Sequence, residues 1–262
     1  MLLVLDVGNT NTVVGVYKEK HLLQHWRLTS DRKTGDELAI YLRNLMFFAE
    51  IPREDLRGAI ISSVVPSLEA AWIQGIESSL GLRVMKVTSS MNLGLTIHVR
   101  EPRSVGADRL VNAVAGIECY GTPLLLVDFG TAVTLDAVDS SGAYIGGAIA
   151  PGLNVSVEAL FGKTAKLPRV PLEAPPQAIG KDTMEAIQSG ILYGYAGMVD
   201  GLVRRMWREL EKETPVVATG GQAGILKNHS ETITHVDPWL TLEGLRILYH
   251  RNVLPKGSSF RD

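Results

Sequence analysis

Two aspartates that follow apolar runs are the first residues in this chain with the means to do chemistry. Leu2-Leu3-Val4-Leu5 runs into Asp6, and Leu124-Leu125-Leu126-Val127 runs into Asp128. Four apolar residues in a row suit a strand buried on both faces, where a carboxylate is costly without a task. Each aspartate is followed by a glycine turn that carries a hydroxyl. The first turn is Val7-Gly8-Asn9-Thr10-Asn11-Thr12-Val13 and the second is Phe129-Gly130-Thr131. Backbone N–H groups in such turns can hold phosphate oxygens, and the acid beside them can hold the hydrated divalent cation that neutralises those phosphates. One such turn alone reads more simply as an ordinary hairpin whose aspartate bonds its own loop.

The repetition changes that reading. Aligning Asp6 with Asp128 puts Gly8 on Gly130 and Val13–Val16 near Leu135–Val138. Such a self-match points to two halves of one ancestral domain, or to convergence on one turn chemistry. A third stretch, Val216-Val217-Ala218-Thr219-Gly220-Gly221, is a short apolar strand entering a glycine pair, which lets backbone approach a flat or anionic ligand. A fourth centre is Glu101-Pro102-Arg103-Ser104-Val105-Gly106-Ala107-Asp108-Arg109, a proline-stiffened loop ahead of a helix expected over Leu110–Ile117. Asp108 near a helix start is favoured by the unpaired N–H groups there, whatever else it does. In the same place it can accept the proton of an attacking hydroxyl, while Arg109 grips an anion.

The elements that must position these residues follow from periodicity. Thr12–Tyr17 and His21–Leu28 read as strands, and helical spacing starts at Asp36. Gly58–Val65 reads as a strand, Pro66 opens a helix, and Leu82–Val87 is a short strand. After the Asp128 strand, Ser140-Ser141-Gly142 makes a hairpin turn into Tyr144–Gly152. The glycines of that strand fit close packing and ligand approach about equally. A helix is expected through Val155 and Phe161. Leu167–Pro176, with four prolines, should be extended. Gly180-Lys181-Asp182-Thr183 opens a helix striped with Gly190, Gly194, Gly197 and Gly201, which permits close packing within the subunit or across a dimer. A last helix spans about Thr241–Asn252, and Lys256–Asp262 reads as a frayed tail. The pattern as a whole is mixed α/β.

These motifs together resemble the acetate and sugar kinase, heat-shock chaperone and actin superfamily. In detail, Asp6-Val7-Gly8-Asn9-Thr10, Gly106-Ala107-Asp108-Arg109, Asp128-Phe129-Gly130-Thr131, Gly146-Gly147-Ala148-Ile149-Ala150-Pro151-Gly152 and Gly180-Lys181-Asp182-Thr183 resemble type III pantothenate kinase, in order from about Leu2 to Gly244. The resemblance implies duplicated ribonuclease H-like, actin-like ATPase domains with mixed sheets flanked by helices and a nucleotide cleft between them. The halves would be residues 1–116 and 117–262. It implies transfer of the ATP γ-phosphoryl group to pantothenate, giving 4′-phosphopantothenate, the first step of coenzyme A synthesis. ATP would be held by the turn Asp6, Val7, Gly8, Asn9, Thr10, Asn11, Thr12 and Val13, by Thr131, and by Gly220 and Gly221. Asp6 would hold Mg²⁺ through water. Gly106, Ala107, Asp108, Arg109 and Thr183 would meet pantothenate, with Asp108 as the base; Thr183 is also placed to be only a helix cap. Asp128 matches the position of a monovalent cation, K⁺ or NH₄⁺, although the bare sequence does not separate that role from a second Mg²⁺ contact. Family members often carry a tyrosine three residues before the loop proline; here Val99 stands there. The resemblance also implies a homodimer. Two other readings are a different small-molecule kinase of the superfamily and a non-catalytic nucleotide-binding regulator of the Bvg accessory factor type. The Gly106–Arg109 loop argues against the first, and intact Asp6, Asp108 and Asp128 against the second.

Composition sets bounds on this. At 262 residues and 45% hydrophobic, the chain can bury a sizeable core. A net charge of −2 advertises neither nucleic acid nor an anionic membrane as a partner. A single cysteine, Cys119, excludes an internal disulfide and fits a reducing cytoplasm. Following an apolar helical run, it is expected to be a buried structural thiol. The histidines are scattered and form no cluster with metal-ligand spacing. Trp72 and Trp207 fall in helical patterns as core residues. Neither a leader nor a run of the ~20 apolar residues that a spanning helix needs is expected.

Overall fold

The first apolar run becomes strand β1 (Leu2–Val7) because both of its faces find apolar cover. Leu3, Leu5 and Val7 join one buried cluster, and Leu2 and Val4 are buried on the opposite face. In the computed structural model, which describes residues 1–162 and 170–253, β1 is the centre of a five-stranded sheet. Its partners are β2 (Asn11–Lys18), antiparallel, and β4 (Gly58–Ser63), parallel. β3 (His21–Thr29) and β5 (Val84–Lys86) are the edges, giving the order β3-β2-β1-β4-β5. Helix α1 (Gly35–Phe48) lies between β3 and β4 in the chain, and α2 (Pro66–Leu80) between β4 and β5. Thr34 caps α1 in a reciprocal box with Glu37, and Leu38, Leu42 and Met46 bury its inner face. Trp72 and Ile76 of α2 join the same cluster, so Trp72 is a core residue as its spacing predicts. Helix α3 (Ala107–Tyr120) starts at Ala107, three residues before the expected start at Leu110.

The second sheet repeats the plan. Here β6 (Leu124–Phe129) is central, antiparallel to β7 (Ala132–Val138) and parallel to β9 (Val216–Thr219). With β8 (Tyr144–Pro151) and β10 (His235–Val236) at its edges, the order is β10-β9-β6-β7-β8. Helices α4 (Leu153–Gly162) and α5 (Thr183–Glu209) separate β8 from β9, and α6 (Ala223–Lys227) separates β9 from β10. Leu125, Val127 and Phe129 pack with Leu192, Val199 and Val203 of α5, while Leu124 and Leu126 lie against Gly116 of α3. Two mixed sheets with one strand order, each flanked by helices, are the duplicated α/β architecture expected.

Three expectations need correction. The first compact unit takes in residues 1–96, 101–115 and the segment beginning at Thr241, and the second residues 97–100 and 116–240. Helix α7 (Leu240–Asn252), expected in the C-terminal half, therefore belongs with the first sheet. The cause is a fit with two glycines: Leu242 lies over Gly15, where a Cβ would crowd it at 3.0 Å, and Tyr249 lies over Gly58, where a Cβ would overlap its ring and hydroxyl. Second, the two turns differ by one residue. β1 and β2 are joined by Gly8-Asn9-Thr10, β6 and β7 by Gly130-Thr131 alone, so the partner of Asp6 is Val13 whereas that of Asp128 is Thr134. Third, Cys119 is exposed, because the last turn of α3 runs beyond the apolar cover of its first turns.

The expected extended segment 167–176 lies partly outside the described residues. From residue 170 it is irregular, and its carbonyls are used by α5: Pro171 accepts from Gln188 Nε2 and Pro175 from the Tyr193 hydroxyl. The tail 256–262 lies outside the described residues.

Candidate active site

In the first unit the site begins at Asp6, which strand register places beside Val13 of β2 and Ser62 of β4. The turn after it is closed by Gly8 N–H to the Asn11 carbonyl at 3.0 Å and braced by Ser30 N–H to the Thr10 carbonyl at 3.0 Å. Asn9 and Thr10 are exposed, and Gly8, Asn11 and Val13 are half-buried. Val7 and Thr12 are buried, and the Thr12 hydroxyl is 3.0 Å from that of Ser30. Gly8–Asn11 is thus the part of the predicted phosphate turn that faces outward, while Val7 and Thr12 hold its two legs. Ser62 is fully buried, and its hydroxyl is the one buried side-chain oxygen or nitrogen among the described residues with no hydrogen-bond partner.

Asp108 sits inside the first turn of α3 rather than ahead of it. Its Oδ1 accepts from Arg109 N–H at 2.8 Å, and Leu110 N–H reaches the Gly106 carbonyl at 3.3 Å. A Cβ at Gly106 would lie 2.5 Å from that same Oδ1. Gly106 is therefore what allows the carboxylate to lie back across the loop. Asp108 and Arg109 are both half-buried, which leaves each within reach of a small ligand.

In the second unit Asp128 lies in register with Thr134 of β7 and Thr219 of β9. Three glycines close around it. Gly130 N–H bonds the Ala132 carbonyl at 3.0 Å, and Gly152 N–H bonds the Thr131 carbonyl at 2.9 Å. A Cβ on Gly152 would overlap the Gly130 and Thr131 carbonyls. Gly220, at φ +90°, comes so near that a Cβ there would lie 2.6 Å from both Asp128 Oδ1 and the Phe129 carbonyl. The end of β9 thus meets the Asp128 carboxylate, and the end of β8 meets the turn that follows it. Thr131 and Gly221 are exposed beside it.

Sequence reasoning missed the support behind this carboxylate. Asp136 is 1% exposed, accepts from the Tyr144 hydroxyl at 2.6 Å and from Thr134 Oγ1 at 3.2 Å, and so fixes the hydroxyl next to Asp128. The only signal was an acid inside Leu135-Asp136-Ala137-Val138. Val99 packs against β8, its Cγ1 3.6 Å from where a Gly146 Cβ would be, so its position is filled by an aliphatic contact. Thr183 is the first residue of α5 and exposed, but the cap is Asp182, whose Oδ1 accepts from Glu185 N–H at 2.8 Å. The alternative of Thr183 as the cap is thereby excluded.

Comparison with known proteins decides the family. The model of the type III pantothenate kinase family matches residues 2–205. A type III pantothenate kinase of Exiguobacterium sp. (strain ATCC BAA-1283 / AT1b) is 50% identical over 253 residues, 96% of this chain and 99% of that protein. The chain belongs to the type III pantothenate kinase family. Solved structures add likeness of fold. A conserved Baf family protein from Campylobacter jejuni has a TM-score of 0.61 at 18% identity, covering 95% of this chain and 98% of that one. Component A of the Acidaminococcus fermentans (R)-2-hydroxyglutaryl-CoA dehydratase has a TM-score of 0.56 at 16% identity, covering 95% and 96%. At such identity these show the architecture alone.

The donor set suits the metal that a kinase of this family would use. Among the described residues no three His, Cys, Asp or Glu side chains group to hold an ion. Mg²⁺ does not ask for such a cage, since it keeps several waters and is held by one or two carboxylates plus substrate phosphates. Asp6, beside an orphaned buried hydroxyl and a phosphate-type turn, offers hard oxygens of that kind.

Proposed function

We propose that this type III pantothenate kinase divides its work between the two aspartate turns and the Gly106–Arg109 loop. The protein phosphorylates pantothenate with ATP in coenzyme A synthesis. Phosphoryl transfer needs positioning and charge neutralisation more than covalent chemistry. In this reading the Gly8–Asn11 backbone and Thr131 hold phosphates, and Gly220 and Gly221 lie against the adenosine. Asp6 orients the waters of Mg²⁺, which when bound neutralises the phosphate charge. Asp108 accepts the proton of the pantothenate hydroxyl, Arg109 pairs with the pantothenate carboxylate, and Thr183 adds a hydrogen bond from the start of α5. Asp128, amid backbone carbonyls and the Thr134 hydroxyl, takes a monovalent cation, K⁺ or NH₄⁺.

The observation that carries this reading is the Gly106–Asp108 contact. A loop glycine leaves room for the half-buried Asp108 carboxylate, which accepts from the Arg109 backbone N–H, and within Gly106–Arg109 the one cationic side chain is that of Arg109, which suits an acidic substrate bearing a hydroxyl. The same reading includes a homodimer and a cytoplasmic location. The dimer is supported by α5, where, beyond the helix's own neighbouring backbone, no described atom lies within 4 Å of a Cβ placed on Gly190, Gly194 or Gly197. No helix among the described residues is long and apolar enough to cross a membrane.

The test is ADP release with ATP and Mg²⁺, with and without pantothenate, in potassium and then sodium buffer, with Asp108→Asn alongside. The expected result is pantothenate-dependent turnover that requires potassium and falls roughly 10²–10⁴-fold in the variant. Turnover that survives Asp108→Asn would remove the base from the account, and equal rates in both salts would remove the cation from Asp128.

A further inference from the structure

The hydroxyl of Ser62 has no use in the fold itself. Ser62 is the last-but-one residue of β4, is 0% exposed, and among the described residues no partner bonds its Oγ. Buried hydroxyls are nearly always bonded, and the exceptions mark an unseen water or ion or a catalytic role. Register makes Ser62 the parallel-strand partner of Asp6, so both side chains leave the sheet on the same face. The second half repeats the arrangement. There Asp128 has Thr219 as its parallel-strand partner on β9, and Thr219 is 2% exposed. Each half of the molecule thus places a buried hydroxyl beside its strand-end aspartate, at one equivalent position.

We infer that Ser62 is a positioning residue for the divalent cation, its Oγ bonding a water of the ion's hydration shell that Asp6 also holds. This rests on the proposed role of Asp6. The chemistry matches: Mg²⁺ gives up its waters reluctantly, so the protein binds it through waters, and each such water has two protons to place. Asp6 accepts one, and the Ser62 lone pairs accept the other. Its hydroxyl proton remains available to a second water or a phosphate oxygen. Groups in this outer position change metal affinity although they never touch the ion.

The test is calorimetric titration of ADP into the full chain, with Mg²⁺ and with Mg²⁺ withheld by a chelator, for wild type, Ser62→Ala, Ser62→Thr and Asp6→Asn. Ser62→Ala should weaken ADP binding roughly 10–100-fold when Mg²⁺ is present and leave Mg²⁺-free binding unchanged. Its melting temperature without ligand should equal or exceed that of wild type, because an orphaned hydroxyl is removed. Ser62→Thr, which carries the hydroxyl found at Thr219, should retain the Mg²⁺ effect. Equal weakening of ADP with and without Mg²⁺ would mean a structural role and overturn the inference. So would an unchanged Mg²⁺ effect in Ser62→Ala while Asp6→Asn abolishes it, and in that case the role of Asp6 stands. If Asp6→Asn also keeps the full Mg²⁺ effect, both fall.

Discussion

At the scale of single residues, close approaches and not charges alone define the site. Gly106→Ala would put a methyl 2.5 Å from Asp108 Oδ1, and the short side chain can escape only by turning away. The expected outcome is a kcat lowered at least tenfold, as when a general base is misplaced, with an unchanged urea midpoint. Gly220→Ala meets a harder obstacle, since its φ of +90° is unfavourable for any L side chain and the Phe129 carbonyl stands 2.6 Å away. It should cost about 2 kcal/mol or more in urea unfolding, because backbone must move. Tyr144→Phe removes the hydroxyl that donates to buried Asp136 and should cost about 1.5–3 kcal/mol, measured the same way. The aspartates and turn glycines were legible because an acid at the end of an apolar run breaks a pattern. Ser62 was not legible: a serine at the end of Ala59-Ile60-Ile61 breaks nothing, and only strand pairing brings it to Asp6.

At the scale of elements, long periodic segments were readable, and so were the short apolar strands β5 and β9, but not α6 or β10. β1, β4 and β6 showed as apolar runs, and α1 and α2 as helical stripes. The five-residue α6 and the two-residue β10 are too short to show a period; α6 exists because its Ala223 and Leu226 are buried with residues of β9 and α5, and β10 because it pairs with β9. The start of α3 was misplaced because Gly106 and Asp108 read as loop chemistry, yet an acid in a first helical turn is stabilising. α5 is anchored at its middle by Asp200, which accepts from Ser230 Oγ at 2.6 Å, Thr232 Oγ1 at 2.7 Å, Glu231 N–H at 3.0 Å and Thr232 N–H at 3.1 Å. Burial pushes this carboxyl's pKa up, but the four hydrogen bonds outweigh it and hold the pKa below the ordinary value. A depressed folded pKa gives stability that is present above the unfolded pKa and is lost as pH falls through the folded one. Asp200→Asn should therefore be less stable than wild type by about 2–3 kcal/mol at pH 7, with the gap closing below about pH 4 in urea titrations.

At the scale of the molecule, the duplication was legible from two aspartate turns, while the allegiance of α7 was not. That allegiance is set by Gly15 and Gly58, far away in sequence, whose missing side chains make room for Leu242 and Tyr249. The glycine face of α5 belongs to this scale too. A Cβ at Gly194 meets no described atom beyond the neighbouring backbone of its own helix, and the glycine is exposed, so Gly194→Leu should keep the melting temperature of the isolated subunit. It should shift sedimentation from dimer to monomer if that face is the subunit contact. The central claim is that the protein transfers a phosphoryl group from ATP to pantothenate. The most direct measurement is mass analysis of the products after incubation with ATP, Mg²⁺, K⁺ and pantothenate. One 4′-phosphopantothenate for each ADP is the predicted result; ADP formed without phosphorylated pantothenate, or neither product, would contradict it.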